Sequence, residues 1–397
     1  MCIRDRVDKT SKNLFNNTKL AFTNKSNLQL KKAFFLFSVL DYPVLTKLGN
    51  SFLLLVLKLN LPFKGIIKKT IFNHFCGGET IEECNDTFKS LNKYNISAMP
   101  EYSVEAESTL EGFENYKNDS IEIINYLGNL KLPFIAIKCT GLMDISSLEK
   151  ISVGELNDDS DEYKSFFKRV DELCRVGEKN NVKILIDAEE SWIQDSIDRV
   201  GLEMMRKYNK NSANVFITHQ CYRTGTLDKI KDYLEIANKE KFYLGVKLVR
   251  GAYMEKERKR ALDNNYPSPI HDTKENTDKE FNNSLLFCVK NIQKLSLWVG
   301  SHNEDSCLKL MEMMKENKIK RDDDRIWFSQ LYGMSDNISY SLSSLEYNVV
   351  KLIPFGPIEK TIPYLIRRAN ENSSVQGQSN RQFTLIKDEI SRRNKLN

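Results

Sequence analysis

The sequence is poor in the patterns that hold metal ions. Its 397 residues include only four histidines, at positions 74, 219, 271 and 302, and none of them stands in an HExxH pattern. Eight cysteines occur, but no two form a CxxC pair. Without such spacing we expect no protein-held metal. In a chain of this length the cysteines are predicted to be reduced, mostly buried thiols rather than a disulfide framework.

Long apolar runs are also missing. The most hydrophobic stretch, SFLLLVLKL at 51–59, contains an uninterrupted apolar run of only six residues, 52–57. About 20 apolar residues are needed for a helix to cross a bilayer. The first thirty residues contain no apolar core of the kind found in a secretory signal peptide, so we expect none.

Charge is unevenly distributed along the chain. Residues 1–70 carry thirteen Lys or Arg against three Asp, a net charge of +10, whereas the whole chain has +5. A basic arm with apolar stretches can rest on an anionic membrane surface. It can equally cover the main domain with its apolar face. The sequence leaves both interpretations open.

The overall composition is that of an ordinary soluble protein, 41% hydrophobic and 28% charged. Residues 27–75 have a helical pattern that is broken near Pro43 and Pro62. From about residue 94 the pattern changes to alternating strands and helices. We therefore predict a helical arm over 1–90, with a possible role in membrane association, and a catalytic barrel over 91–397.

Eight short runs rich in apolar and β-branched residues recur after residue 94, and longer helical patterns separate them. The runs are 95–102, 133–139, 183–189, 214–220, 243–251, 297–303, 325–333 and 349–356. Eight such alternations predict an α/β protein with a (β/α)8 TIM-type barrel. A doubly wound open sheet is the alternative, but no GxGxxG motif follows any of the runs.

Polar side chains stand at the carboxyl ends of most of these runs. In a barrel the chemistry lies at these ends, and buried polar groups without partners are costly, so we expect a polar ligand there. The residues are Lys138, Asp187, Glu189, Glu190, His219, Gln220, Lys247, Arg250, Tyr253, Ser301, His302, Asn303 and Gln330, and Gly333 stands with Gln330 at the end of the seventh run.

The stretch IPYLIRRANENSS at 362–374 contains two adjacent arginines, Arg367 and Arg368, and Glu371 one turn further on. A solvated helix face with an ion pair between positions i and i+4 would explain it. A clamp for a carboxylate or phosphate would explain it as well, because guanidinium groups match those anions in geometry. The polar strand ends favour the clamp.

Several long motifs resemble those of proline dehydrogenases, the FAD enzymes that begin proline breakdown. They are ILIDAEESWIQ at 184–194, VKLVRGAYMEKER at 246–258, VGSHNED at 299–305 and PYLIRRANENSS at 363–374, and the resemblance runs from about residue 65 to 385. CGGETIEEC at 76–84 and YSVE at 102–105 are similar to the monofunctional members. We expect neither an aldehyde dehydrogenase module nor a DNA-binding segment, and no nucleic acid partner.

The resemblance implies a distorted (β/α)8 barrel that holds FAD at the strand ends. It implies oxidation of L-proline to Δ1-pyrroline-5-carboxylate, with hydride transfer from C5 of the substrate to N5 of FAD. Electrons would then pass to a membrane quinone, with possible peripheral membrane contact. In a bacterium the enzyme would lie at the cytoplasmic face of the inner membrane, and in a eukaryote in the mitochondrion.

The resemblance also assigns roles to individual residues. Asp187 and Lys247 would be the catalytic pair, with Lys247 standing where relatives often have arginine. The expected substrate-binding residues are Lys138, Tyr253, Leu352, Arg367, Arg368 and Glu371. The expected cofactor-binding residues are Ala188, Gln220, Arg250, Gly251, Ala252, Ser301, His302 and Gln330.

One position departs from the family pattern. Leu352, two residues before Pro354, stands where many members have a tyrosine at the substrate ring. Relatives that prefer hydroxyproline also differ there, so trans-4-hydroxy-L-proline is the alternative substrate. A function of another class stays open too, namely a lyase or aldolase on the same barrel with Lys138 or Lys247 as a Schiff base.

Overall fold

The computed structural model describes residues 14–40, 64–103, 107–374 and 378–395. Helices cover most of the described part of the predicted arm, and α1 (Thr18–Ala21) and α2 (Asn27–Leu40) come first. The apolar run at 51–59, Pro43 and Pro62 lie outside the described residues. No helix in the described residues is long and apolar enough to cross a bilayer.

Seven of the eight predicted runs each contain one strand, and the run at 297–303 overlaps β6, which begins two residues earlier. The strands are β1 (Ile96–Tyr102), β2 (Phe134–Ile137), β3 (Lys183–Ile186), β4 (Val215–Gln220), β5 (Leu244–Val249), β6 (Leu295–Gly300), β7 (Ile326–Leu331) and β8 (Val349–Phe355). They form one parallel sheet in the order β1-β8-β7-β6-β5-β4-β3-β2, a nearly closed barrel. This cyclic order confirms the (β/α)8 prediction, since a doubly wound sheet would have a reversal in its strand order.

Helices follow the strands along the chain. Those before and within the first half of the barrel are α3 (Lys64–Ile67), which continues as a π-helix at Lys68–Phe72, then α4 (Asn73–Phe75), α5 (Asn85–Asn92), α6 (Leu110–Leu130), α7 (Ile145–Ser152), α8 (Asp161–Asn180) and α9 (Ser191–Tyr208). The later ones are α10 (Thr226–Glu240), α11 (Met254–Asp263), α12 (Lys274–Lys290), α13 (Glu304–Glu316), α14 (Asp336–Ser344), α15 (Ile358–Ser374) and α16 (Gln378–Asn394).

Local sequence explains where the long helices begin and end. The Thr109 side chain accepts a hydrogen bond from the Gly112 backbone at the start of α6, and Ser160 caps α8 in the same way. Such caps satisfy amide groups that have no partner inside the helix. Asn181 follows α8 in the left-handed conformation, which asparagine tolerates well, and ends the helix there.

The central strands are buried on both faces. Every residue of β2 and β4 is buried, as expected of parallel strands that helices cover. Strands β2 to β6 pair in parallel, so their carboxyl ends lie along one edge. Gly245 of β5 allows close packing here, because a Cβ atom would lie 2.1 Å from the Val215 carbonyl oxygen.

The chain divides into two compact units. The larger comprises residues 99–301 and 309–328, and the smaller comprises the rest of the described chain. The predicted boundary between an arm at 1–90 and a barrel at 91–397 stays a prediction. The seven cysteines in the described residues are all buried, as predicted.

In the smaller unit, α2 packs against α16. Leu30 and Phe37 of α2 are buried in one cluster with Leu385 and Ile386. Along with these contacts, Arg393 of α16 donates hydrogen bonds to backbone carbonyls near the start of α2. This side of α2 is therefore covered inside the unit, whereas Leu28 and Phe35 of the same helix are exposed, so both interpretations of the arm stay predictions.

Candidate functional site

Four buried charged side chains of alternating sign form a chain in the larger unit, which we call the charge chain. Lys138 Nζ donates to Glu101 Oε1 at 2.7 Å and lies 3.7 Å from Asp187 Oδ2. Lys247 Nζ donates to Asp187 Oδ1 at 2.5 Å. Side-chain exposure is between 3% and 14% for all four. Two lysines and two acids balance one another, as buried charges require.

The charge chain stands at strand ends because of the sequence around it. Lys138 directly follows β2 and Asp187 directly follows β3. The Asp187 backbone N–H donates to the Ile137 carbonyl at 2.9 Å, so the chain stays extended past the last residue of β3. Lys247 lies in β5 opposite Trp298 of β6, with its ammonium 4.9 Å from the centre of the indole ring.

Electrostatics keep Lys138 protonated. Burial acts to lower its pKa, but the carboxylates of Glu101 and Asp187 outweigh that effect and raise the pKa well above the usual range. The Lys138 backbone N–H also donates to the hydroxyl of Tyr116 at 3.0 Å. Burial raises the pKa of Tyr116 to about 12, so this hydroxyl stays neutral. Lys138 is thus a fixed cation.

Gln220, the last residue of β4, connects the chain segments that follow β3 and β5. Its amide nitrogen donates to the Glu189 carbonyl at 2.7 Å, and its amide oxygen accepts from the Ala252 N–H at 2.9 Å. Between β5 and Ala252, Gly251 has φ +137°, and a Cβ atom there would lie 2.5 Å from the Tyr222 ring. This glycine therefore permits the tight path of the chain.

Glu189 is a buried acid beside the charge chain. It accepts hydrogen bonds from the Thr140 backbone at 3.1 Å and the Thr140 hydroxyl at 2.5 Å. Burial raises the pKa of Glu189 to about 7, although the hydrogen bonds from Thr140 act in the opposite direction. The neighbouring Ala188, a predicted cofactor residue, is 9% exposed.

Arg250 follows β5 and is held on three sides. Its Nε donates to Asp278 at 2.7 Å, its Nη1 donates to the Ser301 hydroxyl at 2.9 Å, and the guanidinium lies 4.3 Å from the centre of the Phe281 ring. Two predicted cofactor residues, Arg250 and Ser301, are thus in contact. Tyr253, predicted to contact the substrate, is buried at the start of α11.

The other predicted residues with described side chains belong to the smaller unit. His302 Nδ1 lies 2.9 Å from the Ser335 hydroxyl. Gln330 of β7 accepts from the Ser339 hydroxyl at 2.8 Å. Leu352 of β8 is 8% exposed, so it could contact only a ligand that enters the interior.

The arginine pair lies in α15, where a helix was predicted. Arg367, Arg368 and Glu371 are all within its bounds, Ile358–Ser374. Their side chains lie outside the described part of the structure. The clamp therefore stays a prediction.

The donors at the ends of β4 to β6 fit the FAD that the resemblance implies. Lys247 and Arg250 offer positive charge to an anionic cofactor. The indole N–H of Trp298 is buried and has no hydrogen-bond partner among the described residues. A polar aromatic ring with acceptor atoms would match such donors.

Sequence reasoning missed Glu101. It is 2% exposed and contacts Lys138, yet it lies inside a run that was interpreted only as a strand. An acid within an otherwise apolar strand was the available signal, because a buried carboxylate needs a cation. Trp298 was missed as well, since an aromatic residue in a strand is ordinary core.

Comparisons with known proteins agree with these observations. The family model described as Proline dehydrogenase matches residues 84–381. Proline dehydrogenase 1, mitochondrial, of Dictyostelium discoideum is 31% identical over 95% of this chain and 74% of its own length. The Caenorhabditis elegans protein of the same name is 32% identical over 88% of this chain, which spans 57% of that protein. A hydroxyproline dehydrogenase of Xenopus laevis is 27% identical over 94% of this chain and 88% of its own length.

A solved structure supports the fold. Proline utilization A (PutA) of Bdellovibrio bacteriovorus, inactivated by N-propargylglycine, superposes with a TM-score of 0.77 at 20% identity. The match covers 93% of this chain and 42% of that one. With the family model extending over most of the barrel, the chain belongs to the proline dehydrogenase family.

Proposed function

We propose that this protein oxidises L-proline to Δ1-pyrroline-5-carboxylate with FAD and passes the electrons to a membrane quinone. Family membership supports the reaction, and the charge chain is the structural observation that carries the proposal. When bound, FAD supplies the redox chemistry by accepting a hydride from C5 of the substrate at N5. The residues of the chain then supply binding, orientation and charge.

Lys138 acts as a fixed cation for a substrate carboxylate oxygen. Its raised pKa keeps it charged, and charge-assisted hydrogen bonds are the strong ones. Asp187 lies between Lys138 and Lys247 and orients both ammonium groups. Lys247 would place positive charge where the reduced cofactor gains negative charge. Tyr253 would pack on the substrate ring.

The arginine pair completes substrate binding in this proposal. Arg367 and Arg368 would hold the carboxylate between two guanidinium groups, and Glu371 would fix one arginine by an ion pair. The residues proposed to hold the cofactor are Ala188, Gln220, Arg250, Gly251, Ala252, Ser301, His302 and Gln330. Among them, Gln220 and Arg250 already connect neighbouring strand ends, which supports a preformed cofactor site.

The raised pKa of Lys138 argues against a Schiff-base lyase. A Schiff base forms from the neutral amine, and an enzyme of that kind lowers the pKa of its lysine. Lys138 shows the opposite shift, and Lys247 donates to Asp187 at 2.5 Å. Hydride chemistry on a cofactor needs no neutral lysine.

A second substrate has one specific observation in its favour. Leu352 replaces the tyrosine that many members have, and a hydroxyproline dehydrogenase is among the relatives that match nearly the whole chain. We therefore propose trans-4-hydroxy-L-proline as the alternative substrate.

The visible absorption spectrum of the purified protein tests the proposal. Flavin bands that bleach on anaerobic addition of L-proline are the expected result. Bleaching only with trans-4-hydroxy-L-proline would support the same mechanism with hydroxyproline as the substrate. If no flavin band appears even after FAD is supplied, the proposal is wrong.

A matched pair of variants links the activity to the charge chain. Lys138→Met removes a cation at the carboxyl end of β2, whereas Lys183→Met removes one at the amino end of β3. Loss of a charge-assisted hydrogen bond predicts a fall in kcat/KM of roughly ten- to hundredfold for Lys138→Met. Lys183→Met should stay near the parent value. Equal losses of kcat/KM in the two variants would mean that the activity does not depend on the charge chain.

Peripheral membrane contact follows from the quinone proposal. On α2, Leu28 and Phe35 are 64% and 72% exposed, and the exposed Lys31 lies between them. An apolar stripe with lysines suits an anionic lipid surface. The double variant Leu28→Ser, Phe35→Ser should bind vesicles of phosphatidylglycerol less strongly and keep its turnover with a water-soluble acceptor. Unchanged vesicle binding would remove α2 from the contact. In a bacterium this surface is the cytoplasmic side of the inner membrane, and in a eukaryote it is the mitochondrial inner membrane.

A further inference from the structure

A cavity of about 210 Å³ lies inside the smaller unit, among its N-terminal helices, and we call it the arm cavity. It is lined by α2, the helical segment 64–75, the turn after β7 and α16. Of the predicted proline and FAD residues whose side chains the structure describes, none lines it.

A group of buried charges faces the arm cavity. Asp336 lines the cavity and forms an ion pair with Lys351, with Asp336 Oδ1 2.8 Å from Lys351 Nζ. The Lys351 ammonium also donates to the carbonyl oxygens of Leu331 at 3.3 Å and Met334 at 2.5 Å. Three acceptors match the three N–H groups of a charged ammonium. Asp336 is thus neutralised by Lys351.

Lys25 has to share that carboxylate. Its Nζ lies 4.0 Å from Asp336, and its side chain is only 16% exposed. In the described part of the chain no other acid lies within ion-pair distance of Lys25. Among the described residues, two largely buried lysines thus share one carboxylate, which leaves a surplus positive charge that a further anion would balance.

The remaining polar wall adds to this positive potential. Lys32 and Lys69 line the cavity and are exposed to solvent. Burial, followed by the charge of Lys25, lowers the pKa of His74 to about 4, so this histidine is neutral at pH 7. The cavity therefore attracts an anion without help from a histidine.

The floor of the cavity is apolar. It is formed by Phe22, Leu30, Phe37 and Ile386, all buried. The volume is below the roughly 300–1,000 Å³ of pockets for drug-sized ligands. A ligand with a small apolar part and one anionic group would therefore satisfy both the floor and the surplus charge.

We propose that the arm cavity binds a small organic anion, a carboxylate or phosphate monoester with a short apolar part, through Lys25, Lys32 and Lys69. The apolar part lies on the phenylalanine floor, and the anionic group faces the three lysines. The same chemistry can come from a soluble metabolite or from the headgroup of an anionic lipid, and the experiment distinguishes these two sources.

Calorimetric titration of the full chain with phenyl phosphate is the test. FAD is kept at saturation so that its own anion-binding groups are engaged. Lys25→Met keeps the length of the side chain and removes the ammonium. Loss of one charge-assisted hydrogen bond predicts binding weaker by roughly ten- to hundredfold. For the exposed lysines, Lys32→Gln and Lys69→Gln, we expect about two- to fivefold.

Lys31→Gln is the matched control. Lys31 is exposed and adjacent to Lys32 on α2, but it does not line the cavity. Its removal should leave the affinity for phenyl phosphate unchanged. If Lys31→Gln weakens binding as much as Lys32→Gln, the attraction is general surface charge and the proposal is wrong.

Melting temperatures distinguish a loss of binding from a loss of stability. Lys25→Met relieves the surplus charge, so its melting temperature without ligand should be equal to or above that of the parent chain. Phenyl phosphate should raise the melting temperature of the parent and raise that of Lys25→Met much less at the same concentration.

Vesicles of phosphatidylglycerol form the second arm of the experiment. In this arm Lys25→Met is compared with the parent chain, because Lys31 belongs to the stripe of α2 that is already proposed to face lipid. If Lys25→Met weakens vesicle binding as well as phenyl phosphate binding, a lipid headgroup is the source of the anion. If it weakens only phenyl phosphate binding, a soluble anion is the source. If phenyl phosphate binding is unchanged in Lys25→Met, the proposal is wrong.

Discussion

Replacing Glu101 by glutamine removes one negative charge from the charge chain and changes little else. Glu101 is 2% exposed, and its carboxylate accepts from the Lys138 ammonium at 2.7 Å. The amide oxygen of glutamine can still accept this hydrogen bond. Asp187, at 3.7 Å, remains as the other acid near Lys138. The substitution therefore tests charge rather than shape.

The magnitude follows from burial. Removing one partner of a buried ion pair costs about 3–5 kcal/mol. A retained acceptor and the nearby Asp187 reduce the loss, and hydrogen bonds to charged groups are worth about 1.5–3 kcal/mol. We expect about 2 kcal/mol, which lowers the melting temperature of a unit of this size by roughly 4–8 °C.

The pH dependence of this loss is set by Lys138. Its pKa is raised in the folded protein, so its contribution to the free energy of unfolding is fully present below the unfolded pKa of about 10.4. The contribution is lost only as the pH rises through the raised folded pKa. The difference in melting temperature between the parent and Glu101→Gln should therefore be constant from about pH 6 to 9.

Glu203→Gln is the matched control, measured in the same thermal scans. Glu203 accepts from Arg206 at 2.6 Å, but both side chains are partly exposed, at 43% and 32%. Exposed ion pairs contribute about 0–1 kcal/mol, so the shift should be small. A double variant, Glu101→Gln with Lys138→Met, should be less destabilised than the sum of the single variants. Equal shifts for the two glutamate variants, or strict additivity in the double variant, would refute the reasoning.

Three further predictions concern other parts of the molecule. Burial raises the pKa of Glu189 to about 7, so its ionisation opposes folding above that pH and not below about pH 4.5. Glu189→Gln should therefore raise the melting temperature at pH 8, by an amount that disappears near pH 5. Leu352→Tyr should raise the ratio of kcat/KM for L-proline over trans-4-hydroxy-L-proline, and an unchanged ratio would remove Leu352 from the substrate site. Burial acts to raise the pKa of Glu389, but Arg392 and Arg393 lower it to about 2. The stabilising contribution of Glu389 is therefore present above about pH 4.5 and is lost as the pH falls through 2. Glu389→Gln should lower the melting temperature at pH 7 more than at pH 2.

The strands could be predicted because their signal is local. A buried parallel strand is a short apolar run between polar segments, and each of the eight runs contained or overlapped one. The runs at 133–139 and 183–189 are longer than the four-residue strands β2 and β3. The extra residues continue past the strands as the segments that carry Lys138 and Asp187. The same pattern therefore marked both the strand and the residues at its end.

The partners of the site residues could not be predicted in this way. Lys138 and Glu101 are 37 positions apart, and Lys247 and Asp187 are 60 positions apart. Their contact depends on strand order and register, which no local pattern contains. Without register, a strand-end lysine can be assigned to the site but not to a particular carboxylate.

The arm shows a different limit. Apolar residues along α2 predicted an amphipathic helix, but not what its apolar face would contact. That face packs against α16, more than 300 positions away in the sequence. The sequence contains no signal for such a distant partner, so this contact could be found only in the structure.

Charge balance gives the arginine pair of α15 its place in the proposed mechanism. The charge chain contains two lysines and two acids, so it is neutral before a substrate binds. Proline with a neutral amine carries a net negative charge on its carboxylate. Lys138 can bind that carboxylate only while it also contacts Glu101 and Asp187. Additional positive charge has to come from outside the charge chain, and two adjacent guanidinium groups, Arg367 and Arg368, would supply it. Replacing either arginine by methionine should therefore raise KM for proline more than it lowers kcat, whereas a purely structural role would lower stability and leave KM unchanged.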